Sequence, residues 1–421
     1  MPYYGTMPNN LSQPAMPDKT LRVALFSGNY NYITDGAAIS LNHLVAHLER
    51  QGIETLVFSP TADPPAFEPA GTLVSVPSIS LPSRSEYRVA LGLPRAQRQR
   101  LKAFRPTLIH LSAPDLLGYA ARGLARKWDV PLVASFHTRY DTYFRYYHMA
   151  WLESAVTRYL RHFYRPCEHV YVPSESTAQV LRAQHMARDV RIWSRGVDDT
   201  RFNPGKRDLE WRRGLGFSDS EPIVAFVGRL VLEKGIDSFA RTIAGLRERG
   251  VAQRVLVVGD GPERARFRDL LPADAVFTGH LAGDDLARAY ASSELFLNPS
   301  VTETFGIVTL ESMAAGLPSV CADATGSQSL VAHGESGFLV RPEDDEGYVE
   351  AVERLIGDPA LRARMGAAAH ERSRRYTWDS VIDALIEQYR EVLDKRRPSA
   401  EGGASEALLR QGVLADDAAL T

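Results

Sequence analysis

Two glutamates eight residues apart, Glu303 and Glu311, stand in the run Asn298-Pro-Ser-Val-Thr-Glu-Thr-Phe-Gly-Ile-Val-Thr-Leu-Glu-Ser-Met-Ala-Ala-Gly-Leu-Pro318. An apolar strand ends at Leu297, and Pro299 and Ser300 break it. The pattern predicts a helix that starts within 304–307 and stops at Gly316, with Pro318 just beyond. The free amides around Thr304, Phe305 and Gly306, with Ile307 beside them, then combine with the helix dipole into an anion site suited to a phosphate. Eight residues of mostly helical chain span roughly 10–12 Å. That exceeds the roughly 5–9 Å of a glycosidase acid/base pair. It suits two grips on one long ligand, hydroxyls at one end and a ribose diol at the other. Taken alone, the pair also fits a plainer reading, in which Glu303 answers the helix dipole and Glu311 is a surface helix residue.

Other charged and polar groups sit at strand ends. Arg229 and Lys234 follow the apolar run Pro222-Ile-Val-Ala-Phe-Val227, and His137 closes Pro131-Leu-Val-Ala-Ser135-Phe-His137. The first strand is followed by Ser27-Gly28-Asn29-Tyr30 and the second ends in Phe58-Ser59, so both parts of a dinucleotide fingerprint are missing. Gly228-Arg-Leu-Val-Leu-Glu-Lys-Gly235 is not a Walker loop, because no Ser or Thr follows its lysine.

These groups need elements to carry them. In the first half, strands are expected at 22–27, 55–58, 107–110 and 131–135. In the second half they are expected at 222–227, 254–258, 275–277 and 294–297, with helices between them. Such alternation means parallel, doubly wound sheets. At 421 residues the chain fits two α/β domains, and a cleft between two facing sheets is the default site. The expected divisions are a flexible leader (1–19), an acceptor-side Rossmann-like domain (20–197), a donor-side Rossmann-like domain (198–375), a helix packing back (376–395) and a disordered tail (396–421). Cys167 and Cys321 are the only cysteines, which suggests a reducing compartment. The net charge of -2 gives no bulk preference for nucleic acid. The charge is uneven, though: residues 81–165 hold 15 Lys/Arg against 5 Asp/Glu.

Here a resemblance becomes specific. Glu303-x7-Glu311 within Thr-Glu-Thr-Phe-Gly resembles the E-x7-E motif of family 4 of the retaining glycosyltransferases, which have the GT-B fold. Val227-Gly-Arg229 with Glu233-Lys-Gly235 resembles that family's phosphate-binding pair. Gly259-Asp-Gly-Pro262, Phe277-Thr-Gly-His280 and Ser135-Phe-His-Thr138 resemble its other strand ends. The agreement covers roughly residues 20–395. It implies a nucleotide-sugar donor, GDP- or UDP-linked, and no metal or other cofactor. It implies that Arg229 and Lys234 hold the diphosphate, Glu311 the ribose, and Glu303 the sugar, with help from Thr304, Phe305 and Gly306. Gly36, His280 and Ile307 complete the donor side. His137 would lie against the sugar.

Asp35-Gly36-Ala37 stands where the family usually has paired glycines. With Trp193-Ser-Arg-Gly-Val-Asp198 it is similar to the mannosyl- and sulfoquinovosyl-type branch, several members of which glycosylate lipids. Asp35, Arg139, Tyr140 and Tyr143 are the candidate acceptor contacts. With Arg84, Arg88, Arg95, Arg98 and Arg100 the aromatic-arginine run suggests a surface facing an acidic membrane, and hence a cytoplasmic, peripheral enzyme. The rival readings are a nucleotide-sugar epimerase or hydrolase on the same fold, and a non-catalytic glycan or nucleotide binder.

Overall fold

The computed structural model describes residues 21–33, 35–81, 84–137 and 153–396. The first half runs β1 (Arg22–Phe26), α1 (Gly36–Arg50), β2 (Glu54–Ser59), β3 (Thr72–Ser75), β4 (Ser78–Leu81), β5 (Arg84–Ala90), α2 (Arg95–Phe104), β6 (Leu108–Leu111), α3 (Leu116–Trp128), β7 (Leu132–Ser135), α4 (Glu153–Tyr164), β8 (His169–Val172), α5 (Glu175–Ala183) and β9 (Val190–Ile192). The second runs α6 (Leu209–Gly214), β10 (Ile223–Val227), α7 (Ile236–Glu248), β11 (Arg254–Val258), α8 (Arg264–Leu270), β12 (Val276–Gly279), α9 (Gly283–Ala291), β13 (Leu295–Asn298), α10 (Ile307–Ala314), β14 (Ser319–Ala322), α11 (Thr325–Leu330), β15 (Gly337–Val340), α12 (Asp345–Gly357), α13 (Pro359–Ser373) and α14 (Trp378–Lys395).

The first sheet has seven strands in the order β3-β2-β1-β6-β7-β8-β9, and the second has six in the order β12-β11-β10-β13-β14-β15. Every pairing within the two sheets is parallel. Strands such as β6, β8 and β10 are buried along their whole length, as parallel strands covered by helices on both faces must be. The eight expected strands are all present within a residue or two. The structure adds β3, β8, β9, β14 and β15 to the sheets, and an antiparallel hairpin of β4 and β5.

The strand order reverses between β1 and β6 in the first sheet and between β10 and β13 in the second. At such a point the connections leave to opposite sides, and the loops beyond the carboxyl ends open a crevice. The loops after β1, β10 and β13 carry Asp35, Arg229 and Glu303 respectively.

The last helix, α14, crosses back to the first half. Its Val381, Ile382, Leu385, Ile386, Tyr389 and Val392 are buried with Leu41, Leu44, Val45 and Leu48 of α1 against the first sheet. His47 on α1 lies 3.0 Å from Asp379 and 2.6 Å from Asp383 on α14. Among the described residues no helix is long and apolar enough to cross a membrane.

Candidate active site

Three loops at the carboxyl edge of the second sheet pack onto one another. Ser300 and Thr302, after β13, each donate a hydroxyl to the Glu233 carbonyl at 3.3 Å. Gly235, at φ 73°, leaves no room for a side chain, since a Cβ there would sit 2.8 Å from the Pro299 carbonyl oxygen. Gly259, at φ 133°, is tighter still, because a Cβ would meet the Gly228 carbonyl oxygen at 1.9 Å. The Gly259 amide also donates to the Gly279 carbonyl at 2.8 Å, which brings the exposed His280 alongside. The turn after β11 is therefore locked between the loops that carry Arg229 and His280.

Within this frame Lys234 Nζ donates to Glu303 Oε1 at 2.5 Å, with side chains 27% and 13% exposed. The sequence reading gave these two residues separate tasks, and the structure brings them into one pair. An ammonium has three N–H donors, so two remain for another ligand. Arg229 is exposed, with no side-chain partner among the described residues. Next to Glu303, the amides of Thr304, Phe305 and Gly306 donate to no carbonyl of the described residues. Gly306, at φ 95°, caps α10, and Ile307 opens it.

Glu311 lies on α10, where the Tyr290 hydroxyl donates to its Oε2 at 3.2 Å and to the Val308 carbonyl at 3.1 Å. Burial raises the Glu311 carboxyl to about 7, against a smaller lowering by the Tyr290 hydrogen bond. Tyr290 was not foreseen, because α9 and α10 meet only in the fold.

Across the cleft, Asp35 caps α1. Its Oδ1 accepts from the Ala38 amide at 2.7 Å and its Oδ2 from Asn29 Nδ2 at 2.8 Å. The carboxylate read as an acceptor contact is thus engaged in fixing its own loop. A Cβ on Gly36 would lie 3.4 Å from Ile307 Cδ1, so the two domains nearly touch there. Ser174, the cap of α5, donates to the Thr304 carbonyl at 2.7 Å and bridges them.

His137 is half-buried and both its ring nitrogens are occupied. Arg195 Nη2 lies 2.8 Å from Nδ1, and Ser135 Oγ lies 2.8 Å from Nε2. A guanidinium can only donate, so Nδ1 accepts and the proton resides on Nε2, which donates to Ser135. The ring is neutral. Burial pushes its pKa well below the usual value, and Arg195 and His110 add to the effect. Beyond Ser135, His110 Nε2 lies at 3.0 Å from Oγ, and His110 Nδ1 lies 2.5 Å from the Tyr389 hydroxyl on α14. Arg195, Ser135, His110 and Tyr389 were not assigned from sequence. The runs Ser135 to Thr138 and Trp193 to Asp198, quoted above, held Ser135 and Arg195 without giving either a task.

Arg139, Tyr140 and Tyr143 lie outside the described residues. Among the described residues no group of three His, Cys, Asp or Glu could hold a metal ion.

Two doubly wound, Rossmann-like sheets facing a cleft define the GT-B fold. Residues 208–372 match the model "Glycosyl transferases group 1", and residues 34–201 match "Glycosyltransferase Family 4". A GDP-mannose-dependent alpha-mannosyltransferase of Corynebacterium glutamicum is 33% identical over 89% of this chain and 90% of its own. The sulfoquinovosyl transferase SQD2 of Arabidopsis thaliana is 32% identical over 90% of this chain and 75% of its own. The sucrose-phosphate synthase structure from Thermosynechococcus elongatus superposes with a TM-score of 0.72 at 21% identity, covering 89% of this chain and 100% of that one. The chain belongs to family 4 of the GT-B glycosyltransferases, in the mannosyl- and sulfoquinovosyltransferase-like branch.

Proposed function

We propose that the protein transfers a hexose, with retention of configuration and without a metal, from a nucleotide-diphosphate sugar to a lipid or glycan hydroxyl. GDP-mannose is the first donor to test, because the Corynebacterium relative is named for it. The Lys234–Glu303 pair beside the unbonded amides of Thr304, Phe305 and Gly306 carries this reading. It gathers positive charge and N–H donors for a diphosphate, and a carboxylate for sugar hydroxyls, where the loops after β10 and β13 meet. In this reading Arg229 and Lys234 neutralise the leaving diphosphate, Glu303 holds the sugar and Glu311 holds the ribose. Gly36 and His280 border the donor.

The acceptor hydroxyl attacks from the leaving-group face and passes its proton to a phosphate oxygen. The geometry of His137 supports this. With Nδ1 accepting from Arg195 and Nε2 donating to Ser135, the ring has no free lone pair to serve as a base. Rate acceleration then comes from positioning and charge stabilisation.

Glu303→Ala is expected to lower transfer by about 10²-fold or more, since it removes a group touching the reacting sugar. The assay is product mass spectrometry over a panel of GDP- and UDP-sugars, with a lipid extract, with and without EDTA. Product formation at the wild-type rate by the variant would sink the reading. Donor turnover with no acceptor present would favour an epimerase or hydrolase.

The acceptor side is proposed to meet an acidic membrane. Arg95, Arg98 and Arg100 of α2 are exposed, and so are Ile79 within β4 and Leu91 just after β5, by 56% and 53%. Exposed cations beside exposed apolar side chains suit an anionic headgroup layer. The protein should co-sediment with acidic liposomes at low salt and stay in solution with neutral ones. Equal partition between the two would count against the contact.

A further inference from the structure

Arg195 is 5% exposed, the depth at which an arginine normally has a carboxylate partner. No carboxylate of the described residues lies within ion-pair distance of it. Its hydrogen-bond partner is the neutral His137 ring, and its guanidinium lies near the Trp193 ring, 5.8 Å from centroid. Asp35 is near enough to favour the charged form, but both its oxygens already accept hydrogen bonds, from Ala38 and Asn29. The remaining Arg195 N–H groups have no protein acceptor among the described residues. A buried cation that keeps its charge, has one neutral partner, and has free donors between His137 and the Asp35–Gly36 loop is arranged to receive an anion.

We propose that Arg195 is an anion-binding residue on the first domain's side of the cleft, and that it takes a phosphate oxyanion of a substrate. The inference rests on the reading of the cleft as a nucleotide-sugar site. Its planar fork offers two parallel N–H groups to a phosphate while Nη2 stays on His137. The same hydrogen bond keeps His137 in its Nε2–H form, so ligand charge and histidine orientation meet in one side chain. The phosphate belongs either to the donor diphosphate or to a phosphorylated acceptor.

The experiment compares wild type, Arg195→Gln, Arg195→Lys and Arg229→Gln by calorimetric titration. The probes are GDP, UDP and glycerol 3-phosphate, with glycerol as the uncharged control. Gln keeps an N–H for His137 and removes the charge, while Lys keeps the charge without the fork. Arg195→Gln is expected to weaken at least one phosphate probe by about tenfold or more, and Arg195→Lys by less. Loss on the GDP and UDP arm assigns the donor phosphate, and loss on the glycerol 3-phosphate arm assigns the acceptor. Affinities within about twofold of wild type on both arms for Arg195→Gln overturn the proposal, and so does a wild type that binds none of these probes. GDP and UDP affinities untouched by Arg229→Gln would instead sink the donor-site reading, and a loss on the glycerol 3-phosphate arm would still stand for Arg195. Circular dichroism checks that each variant is folded, and Arg195→Lys serves if the Gln variant is not.

Discussion

Glu311 is a carboxyl whose surroundings work against its charge. Burial raises it to about 7 from the usual 4.5, and one phenol hydrogen bond only partly offsets this. Ribose hydroxyls would donate to the ionised form. The ionised fraction grows from about a tenth at pH 6 to about nine-tenths at pH 8, so GDP or UDP affinity should rise roughly tenfold across that range. Glu311→Gln should bind more weakly and flatten the profile. Folding stability carries the opposite sign. The folded state holds this proton to higher pH than the unfolded chain, so its contribution is full below 4.5 and lost as pH rises through about 7. Calorimetry and thermal melts of both proteins from pH 5 to 8 test the two signs together, and a flat wild-type affinity would remove Glu311 from the ribose. The two glutamates could be singled out from their spacing and neighbours. The Tyr290 contact and the Lys234 pairing could not, because each joins residues from different loops or helices.

At the scale of elements, the catalytic-side histidine depends on a helix from the far end of the chain. The Tyr389 hydroxyl of α14 meets His110 Nδ1, and His110 meets Ser135, which holds His137. Burial brings His110 down to about 3, so this ring is neutral and needs a partner for each nitrogen. Tyr389→Phe keeps the packing of α14 and leaves Nδ1 unpaired. It should cost about 1–3 kcal/mol in urea unfolding. An unchanged midpoint would show that the link carries no stability. The periodic apolar face of 378–393 made α14 readable, and the runs at 222–227 and 254–258 made β10 and β11 readable, because buried parallel strands are continuous apolar segments bounded by turns. The hairpin escaped for the same physical reason. Its strand Arg84–Ala90 mixes arginine, serine and glutamate with apolar residues and lies outside both sheets. β9 has three residues and β15 begins at a glycine, too little pattern to mark a strand.

At the scale of the whole molecule, the two halves are joined by two chain crossings that run side by side. The outgoing chain passes Gly196 and Val197, and the returning chain passes Tyr376 and Thr377. They are bonded from the Val197 amide to the Tyr376 carbonyl at 2.8 Å, with a parallel bridge between Val197 and Thr377. Ser174 to Thr304 and Gly36 against Ile307 are further contacts between the halves beyond this crossing. Gly196 has no side chain because Trp378 occupies its place. A Cβ there would lie 2.4 Å from Trp378 Cδ2 and 2.6 Å from its Cα, and the indole is itself stacked on His43 at 4.1 Å. Gly196→Ala therefore has to shift the start of α14 or the crossing chain, an overpacking that costs about 1–3 kcal/mol. The shift falls where the two chains cross, beside Tyr376, whose ring packs on Phe305 of the Glu303 loop at 5.8 Å between centroids. The proposed diphosphate and ribose contacts, Arg229, Lys234 and Glu311, lie on the second domain, while His137, Arg195 and Gly36 lie on the first. Changing the angle should thus alter kcat and the donor KM together. Binding of free GDP or UDP, whose proposed contacts come mostly from the second domain, should change less. If Gly196→Ala lowers the melting temperature but leaves both kinetic constants at wild-type values, the double crossing is only a tether and does not set the geometry of the cleft.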